Sequence, residues 1–194
     1  MSSAKFLMWR NRYQEGKCVI NAPAPVEDAY ELNRGISRAE SWPAGVTCVM
    51  DPEFPTDIEL TDNLYGTNII VVSERLRDAL AGGNAADGVE FLPVSIVNHK
   101  GRVASNSYFV LNPPTTIECI DLKASKVKWN VLNKKLISTC ERLVIDEKKV
   151  PAQVSTFRPR HLPMRILVRT EVAKSLEAAG LTGLHFGDLA DFRG

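Results

Sequence analysis

The side chains best suited to binding chemistry are concentrated between residues 157 and 169. This stretch, FRPRHLPMRILVR, contains no carboxylate and several cations: Arg158, Arg160, His161, Arg165 and Arg169. A guanidinium group presents paired N–H donors that fit a carboxylate or a phosphate. This arginine run, residues 158–169, predicts a surface for an acidic partner or ligand, a solvated edge, or a set of internal partners for the acidic residues between positions 51 and 62.

A second stretch carries the opposite charge. The sequence DPEFPTDIELTDN, which starts at Asp51, has two prolines, no basic residue and five carboxylates: Asp51, Glu53, Asp57, Glu59 and Asp62. Because unpaired carboxylates are costly to bury, we expect this acidic segment, residues 51–62, to lie on the surface. It is a second candidate for contact with a partner.

No arrangement typical of an active site or a metal centre stands out. Three histidines lack partners at metal-ligand spacing: His99, His161 and His185. Glycine-rich phosphate loops and nucleophile elbows are also missing. Cys119 and Asp121 alternate around Ile120 and could face a distant histidine, but a core cysteine and a turn-capping aspartate are the simpler interpretation. We predict no catalytic residue, no metal site and no cofactor.

Composition excludes several classes of partner. The 194 residues carry a formal net charge of +1, and aromatic residues are not interleaved with the basic ones, so neither nucleic acid nor a membrane is a predicted partner. No apolar run approaches the roughly 18 residues of a membrane span. The four cysteines are widely spaced and mostly lie among aliphatic residues, which favours buried free thiols in a reducing compartment.

Two similar stretches are predicted to supply the framework for these side chains. VVSERLRDALAGG, residues 71–83, and VRTEVAKSLEAAG, residues 168–180, each combine an apolar strand with a helix whose apolar residues recur every three or four positions. Ser73 and Thr170 are the predicted N-caps, and Gly180 ends the second helix as a glycine pair ends the first. The matching features have the same offset, which suggests an internal strand–helix–strand duplication.

The remaining sequence favours strands. Residues 98–150 alternate polar and apolar positions and are broken by Pro113 and Pro114, which predicts a β-meander. The predicted fold class is α+β, with mostly antiparallel sheet and two short helices packed on it. We predict an N-terminal half, residues 1–97, and a C-terminal half, residues 98–194, that share one core.

Several motifs in the second half are shared with a known family. They are the aromatic strand YFVLN, the sequence CIDL with Ser125, the pair Phe157–Arg158, and the closing GLTGLHF. In these features the chain resembles, over about residues 95–187, a family of bacterial immunity proteins linked to polymorphic toxin systems, once filed as a domain of unknown function. The first half is related to the family only through its similarity to the second.

The resemblance implies a cytoplasmic protein that binds a cognate toxin, made by a neighbouring gene, and blocks it by protein–protein contact without catalysis. It supplies no catalytic residue. The arginine run and the acidic segment are then the two candidate surfaces for the toxin. Two alternatives remain: an enzyme of unrecognised type that holds a small acidic ligand through the arginine run, and a structural subunit or adaptor.

Overall fold

The computed structural model describes residues 5–83 and 85–192, and over them the chain has a mixed α+β architecture. The predicted fold class is confirmed. The strands are β1 Phe6–Trp9, β2 Thr47–Val49, β3 Asn63–Leu64, β4 Ile70–Ser73, β5 Glu90–Val97, β6 Val103–Asn112, β7 Thr116–Ile117, β8 Val127–Trp129, β9 Ile137–Cys140, β10 Thr156–Pro159, β11 Ile166–Arg169 and β12 Phe186–Gly187. The α-helices are α1 Glu74–Gly82, α2 Leu122–Ser125 and α3 Thr170–Ala178. Short 3-10 helices span Ala29–Asn33, Ala39–Ser41, Glu147–Lys149 and Leu189–Asp191.

The first sheet has the strand order β2–β5–β6–β4–β3. β5 and β6 form a long antiparallel hairpin, and β4 pairs antiparallel with β6. Ile70, Val71 and Val72 of β4 are all buried, as expected for a uniformly apolar strand that is covered on both faces. β2 lies at one edge and runs parallel to β5.

The second sheet has the order β12–β1–β11–β10–β7. β1, from the start of the chain, pairs antiparallel with both β11 and β12 from its end. β7 lies at the far edge and runs parallel to β10. The strands β8 and β9 form a separate antiparallel hairpin. The two ends of the chain therefore complete one sheet together.

The two strand–helix units have the same local topology. β4–α1–β5 and β11–α3–β12 each join two parallel strands through a helix, with one antiparallel strand, β6 or β1, between them. The helices α1 and α3 contact each other. The shared topology accounts for the repeated sequence pattern, because each unit needs an apolar strand followed by a helix with one apolar side. A duplication of the sequence is not shown.

Three details differ from the sequence prediction. The predicted meander of residues 98–150 is interrupted by α2, because Asp121 accepts a hydrogen bond from the Ala124 amide and caps a helical turn, so the helices number three in the described residues. β7 is only two residues long and joins the second sheet. Ser73 caps α1 as predicted, but α3 begins at Thr170 with Arg169 in the N-cap position.

Buried apolar side chains form three clusters. One belongs to the first sheet and the segments that cover it, such as Cys18 and Leu32. Another gathers residues of the second sheet and the segment before β10. The third contains residues of both sheets and of both long helices, including Trp9, Val72 and Leu176. The division at residue 97 stays a prediction; β6 and β1 each lie in the sheet of the other predicted half.

Candidate functional site

Arg158, the first cation of the arginine run, is an internal residue. It is 2% exposed, and its guanidinium donates to the backbone carbonyls of Pro113 at 3.2 Å, Pro163 at 2.6 Å and Leu32 at 2.7 Å. Burial lowers its pKa to about 10, so the group keeps its charge at neutral pH. Arg158 joins three segments of the chain and has almost no surface to offer a partner.

Arg160 and His161 lie beside the β8–β9 hairpin and reach solvent. Arg160 Nη1 donates to Glu118 Oε2 at 2.8 Å in an exposed ion pair. His161 Nδ1 lies 2.9 Å from the Lys135 carbonyl oxygen, and its ring meets the Trp129 ring edge-on with centroids 5.1 Å apart. These two residues of the run are therefore placed where a partner can contact them.

The last two arginines of the run make other contacts. The Arg165 guanidinium lies 5.4 Å from the Phe192 ring centroid, and partial burial together with the charge of Arg10 lowers its pKa. Arg169 is tied to two backbone carbonyls of the segment that precedes β10, at 2.9 and 3.0 Å. The arginine run is thus divided between structural positions and separate parts of the surface.

Two members of the acidic segment are buried. Asp57 is 4% exposed and accepts hydrogen bonds from the Tyr13 hydroxyl and the Gly16 amide, both at 2.8 Å. Asp62 is 8% exposed. The expectation that the whole segment lies on the surface is wrong for these two residues, because internal donors replace the water that their carboxylates would otherwise need.

Asp62 is the centre of a polar network that links distant parts of the chain. Its carboxylate accepts from the Ser73 hydroxyl at 2.7 Å, from the Thr182 amide and hydroxyl at 2.8 and 3.0 Å, and from Arg75 at 3.2 Å. Burial raises the pKa of Asp62, but these donors outweigh that effect and the pKa is lowered overall. The residue is ionised at neutral pH and acts within the fold.

The other three carboxylates of the segment remain accessible. Asp51 is partly exposed and accepts from the Glu53 amide at 3.0 Å. Glu53 is exposed, and the exposed Glu59 forms an ion pair with Lys17. A partner could therefore meet Asp51, Glu53 and Glu59, and also the exposed side chain of Ile58, which precedes Glu59 in the chain.

A cleft of about 660 Å³ opens elsewhere, where β1 meets the segment before β4 and the start of β11. Residues 8–11, 65–68 and 164–166 supply most of its walls, and Phe192 closes one side. Arg10 and Arg165 both line this cleft, whereas none of its described lining residues is acidic. With two cations in its lining, this cleft could hold a small anion.

The sequence reasoning missed the most exposed apolar residues of the described chain. Val131 and Leu132, in the turn of the β8–β9 hairpin, are 88% and 98% exposed, and Trp129 at the base is 39% exposed. The signal was present in the stretch NVLNKK, where two aliphatic residues occupy a turn that would ordinarily be polar. Trp129 contacts His161, and Asn133, Lys135 and Leu136 of the same hairpin line a shallow pocket together with Arg160 and His161.

The thiols do not have the environment of a nucleophile. All four cysteines are free and buried, as predicted. Burial raises the pKa of Cys18 and Cys119 to about 11 and that of Cys48 to about 12, so the reactive thiolate is scarce at neutral pH. Within residues 5–83 and 85–192, no group of three metal-ligating side chains is close enough to hold an ion, and no helix is long and apolar enough to cross a membrane.

The comparison with known families decides the identity of the chain. A family model described as "Immunity protein family (Imm11)" matches residues 3–191, nearly the whole sequence. The chain belongs to the Imm11 immunity protein family. The Imm11 match includes the first half, which the motifs at residues 95–187 did not cover. No curated protein matches the chain.

Membership of Imm11 implies a role in immunity to a toxin. Both sheets, the β8–β9 hairpin, the acidic segment and all of the cleft except Phe192 fall within the matched residues. The accessible members of the two charged stretches are the sequence-predicted residues that a toxin could reach: Arg160, His161 and Arg165 of the arginine run, and Asp51, Glu53 and Glu59 of the acidic segment.

Proposed function

We propose that this Imm11 protein neutralises a cognate toxin by binding it directly, without catalysis. The match of the family model over residues 3–191 carries this proposal. The burial of all four thiols supports the noncatalytic part, because their raised pKa values disfavour a cysteine nucleophile. An inhibitor of this kind needs a rigid surface of about 800 Å² on each partner and does not need a reaction centre.

The partner is a protein, and the two proposed contact regions have opposite charge. One contains Arg160 and His161, and the other contains Asp51, Glu53 and Glu59. Arg158, Asp57 and Asp62 are left out of the contact because they are buried and hydrogen-bonded within the fold. We place the complex in the cytoplasm, where free thiols such as those of this chain persist.

The direct test is expression of the protein encoded by the adjacent gene, with and without this chain. That protein is expected to be toxic alone, to be tolerated when the chain is present in at least equal amount, and to co-purify with it at fixed stoichiometry. Protection at amounts far below that of the toxin, with no recoverable complex, would instead indicate an enzyme that modifies or destroys the toxin.

The charge of each contact region can be tested separately once a complex is recovered. Neutralising the accessible pair Glu53 and Glu59 should slow association, most strongly at low salt, if the acidic segment faces the toxin. Reversing the charge of Arg160 should have that effect if the other region does. Both changes are on exposed side chains, so the free energy of unfolding is expected to change by about 0.5 kcal/mol or less.

A second candidate function is supported by the cleft lined by Arg10 and Arg165. It would hold a small acidic ligand, the role first assigned to the arginine run, with Arg165 as the member of that run that faces the cleft. Thermal-shift measurements with small phosphates and carboxylates test this function. Stabilisation that is lost in the Arg10→Ala variant would support it, and no stabilisation by any anion would exclude it.

A further inference from the structure

We infer that the tip of the β8–β9 hairpin inserts into an apolar pocket of the toxin whose rim carries carboxylates. This inference rests on the proposed function and adds the surface and the chemistry of the partner. The hairpin tip is defined here as residues 130–136, between β8 and β9. It contains the two aliphatic side chains that are most exposed among the described residues.

Hydrogen bonds within the turn stabilise the conformation in which these side chains are exposed. The Asn130 side-chain oxygen accepts hydrogen bonds from the amides of Leu132 and Asn133, both at 2.9 Å. The Asn130 amide donates to the Leu136 carbonyl, and the Leu136 amide donates to the Asn133 carbonyl, again at 2.9 Å. Four hydrogen bonds within the turn therefore stabilise the backbone of the tip, and Leu132 is 98% exposed to solvent.

The base of the hairpin is also fixed to the body of the protein. The Ile137 amide donates to the His161 carbonyl at 3.0 Å, and the His161 ring is bracketed by the Lys135 carbonyl and the Trp129 ring. An inserted element that is ordered before binding loses less conformational entropy on association. A fixed protrusion with an apolar end fits a concave site better than a flat one. We therefore expect the toxin surface to contain a pocket.

The charges around the tip indicate which charge the rim of the toxin pocket should carry. Lys128, Lys134 and Lys135 are exposed and form no ion pair within the described residues. Arg160 lines the same shallow pocket as Lys135 at the base, where Glu118 is its carboxylate partner. A toxin surface that approaches this excess of positive charge is favoured when carboxylates surround the apolar pocket.

The test replaces the apolar tip with the double change Val131→Ser and Leu132→Ser. These side chains contact little of the chain itself, so the thermal unfolding midpoint should stay near that of the unmodified protein. The toxin, separated from the co-purified complex in denaturant and refolded, is the binding probe. We expect its affinity to fall on the order of thirtyfold or more, together with loss of protection in cells.

Matched controls locate the effect. Val103→Ser removes an equally aliphatic side chain that is 56% exposed on β6 and belongs to neither proposed contact region, so this control should bind the toxin as tightly as the unmodified chain. Ile58→Ser makes the same kind of change within the acidic segment. Charge reversal of Lys134 and Lys135 should slow association, with a larger effect at low salt.

Failure of the hairpin assignment and failure of the proposed function would give different results. Unchanged affinity of the tip variant for a toxin that the unmodified chain does bind would overturn the hairpin assignment and leave the proposed function standing. Loss of affinity in the Ile58→Ser variant instead would move the contact to the acidic segment. A toxin that the unmodified chain does not bind would overturn both the proposed function and the hairpin assignment.

Discussion

Two arginines that are separated by one proline in the chain have different roles. Arg158 donates to three buried carbonyls from the segments before β2, after β6 and before β11. Arg160 lies at the surface, where Glu118 is its carboxylate partner. Within β10, alternation cannot explain the burial of Arg158, since Phe157 and Pro159 are buried as well. The difference comes from the carbonyls that other segments bring to Arg158.

The first prediction compares these two residues by substitution. Arg158→Lys should lower the free energy of unfolding by at least about 3 kcal/mol, because an ammonium cannot replace three guanidinium bonds and leaves buried carbonyls unpaired. Arg160→Ala should change it by no more than about 0.5 kcal/mol. Urea denaturation of both variants measures this difference. Equal effects would contradict a structural role for Arg158.

The second prediction concerns the pH dependence that Asp62 contributes. The folded-state pKa of Asp62 lies below its ordinary value of 3.8, so the carboxylate stabilises the fold fully above that value and progressively less as the pH falls through the folded-state pKa. Asp62→Asn should lower the free energy of unfolding at pH 7 by about 1–3 kcal/mol. Urea denaturation should show this deficit shrinking as the solution is acidified below pH 3.8. A deficit that is the same at every pH would show that ionisation of Asp62 is unimportant.

At the scale of residues, the sequence was enough to identify charged side chains as candidates for a contact. It was not enough to identify the groups that these side chains bind within the fold. The composition of the arginine run and the acidic segment was enough to predict charged contacts. It could not separate Arg158 from Arg160, or Asp62 from Glu59, because burial depends on donors and carbonyls that lie tens of residues away. Local rules were more successful, since Ser73 caps α1 through the Leu76 amide as its position predicts.

At the scale of elements, the start of α1 and the end of α3 are held at one place. Asp62 binds the Ser73 hydroxyl at the N-terminus of α1, and Arg75 of α1 donates to the carbonyls of Ala179 and Gly180 at the C-terminus of α3. A carboxylate at a helix N-terminus and a cation at a helix C-terminus both oppose the partial charges of the helix ends. The two strand–helix units are thus coupled through their caps as well as through apolar packing.

The third prediction tests the connection between α3 and β12. Gly183 has φ +73°, and a Cβ at this position would lie 2.2 Å from the Asn63 carbonyl oxygen. Gly183→Ala should therefore destabilise the fold by several kcal/mol more than the backbone strain of about 1–2 kcal/mol that a positive φ imposes alone. Thermal or urea unfolding measures the difference.

Gly101 supplies the matched control for this prediction. It has φ +71° in the β5–β6 turn, and a Cβ there would meet nothing within 4 Å. Gly101→Ala should show only the strain of the positive φ. If both variants lose the same stability, the close approach of Gly183 to the first sheet does not contribute.

Sequence patterns were informative about those elements whose signal lies within the element itself. The helical stripes of α1 and α3 and the apolar strand β4 follow from residues within each element. The pairing of β1 with β11 and β12 could not be predicted, because it joins the start of the chain to its end. The exposed tip of the β8–β9 hairpin was overlooked since turn rules address backbone shape and not outward apolar side chains.

At the scale of the whole molecule, the two predicted halves exchange strands. β1, from residues 1–97, lies between β12 and β11 of the second sheet, and β6, from residues 98–194, lies between β5 and β4 of the first. The third apolar cluster contains side chains from both halves, and Arg158 and Asp62 add polar links between them. Neither half can complete its own sheet without the other.

The fourth prediction is that the chain unfolds as one cooperative unit. A fragment of residues 98–194 would lack β1, which separates β11 from β12, and would leave the apolar faces of β6 and α3 without the residues that cover them. It should therefore be largely unfolded by far-ultraviolet circular dichroism. For the intact chain, tryptophan fluorescence and circular dichroism should give coincident urea transitions, because Trp9 lies in the shared cluster and Trp42 packs on the cluster of the first sheet. Two separated transitions, with a folded fragment that unfolds in one of them, would show instead that the halves are independent domains.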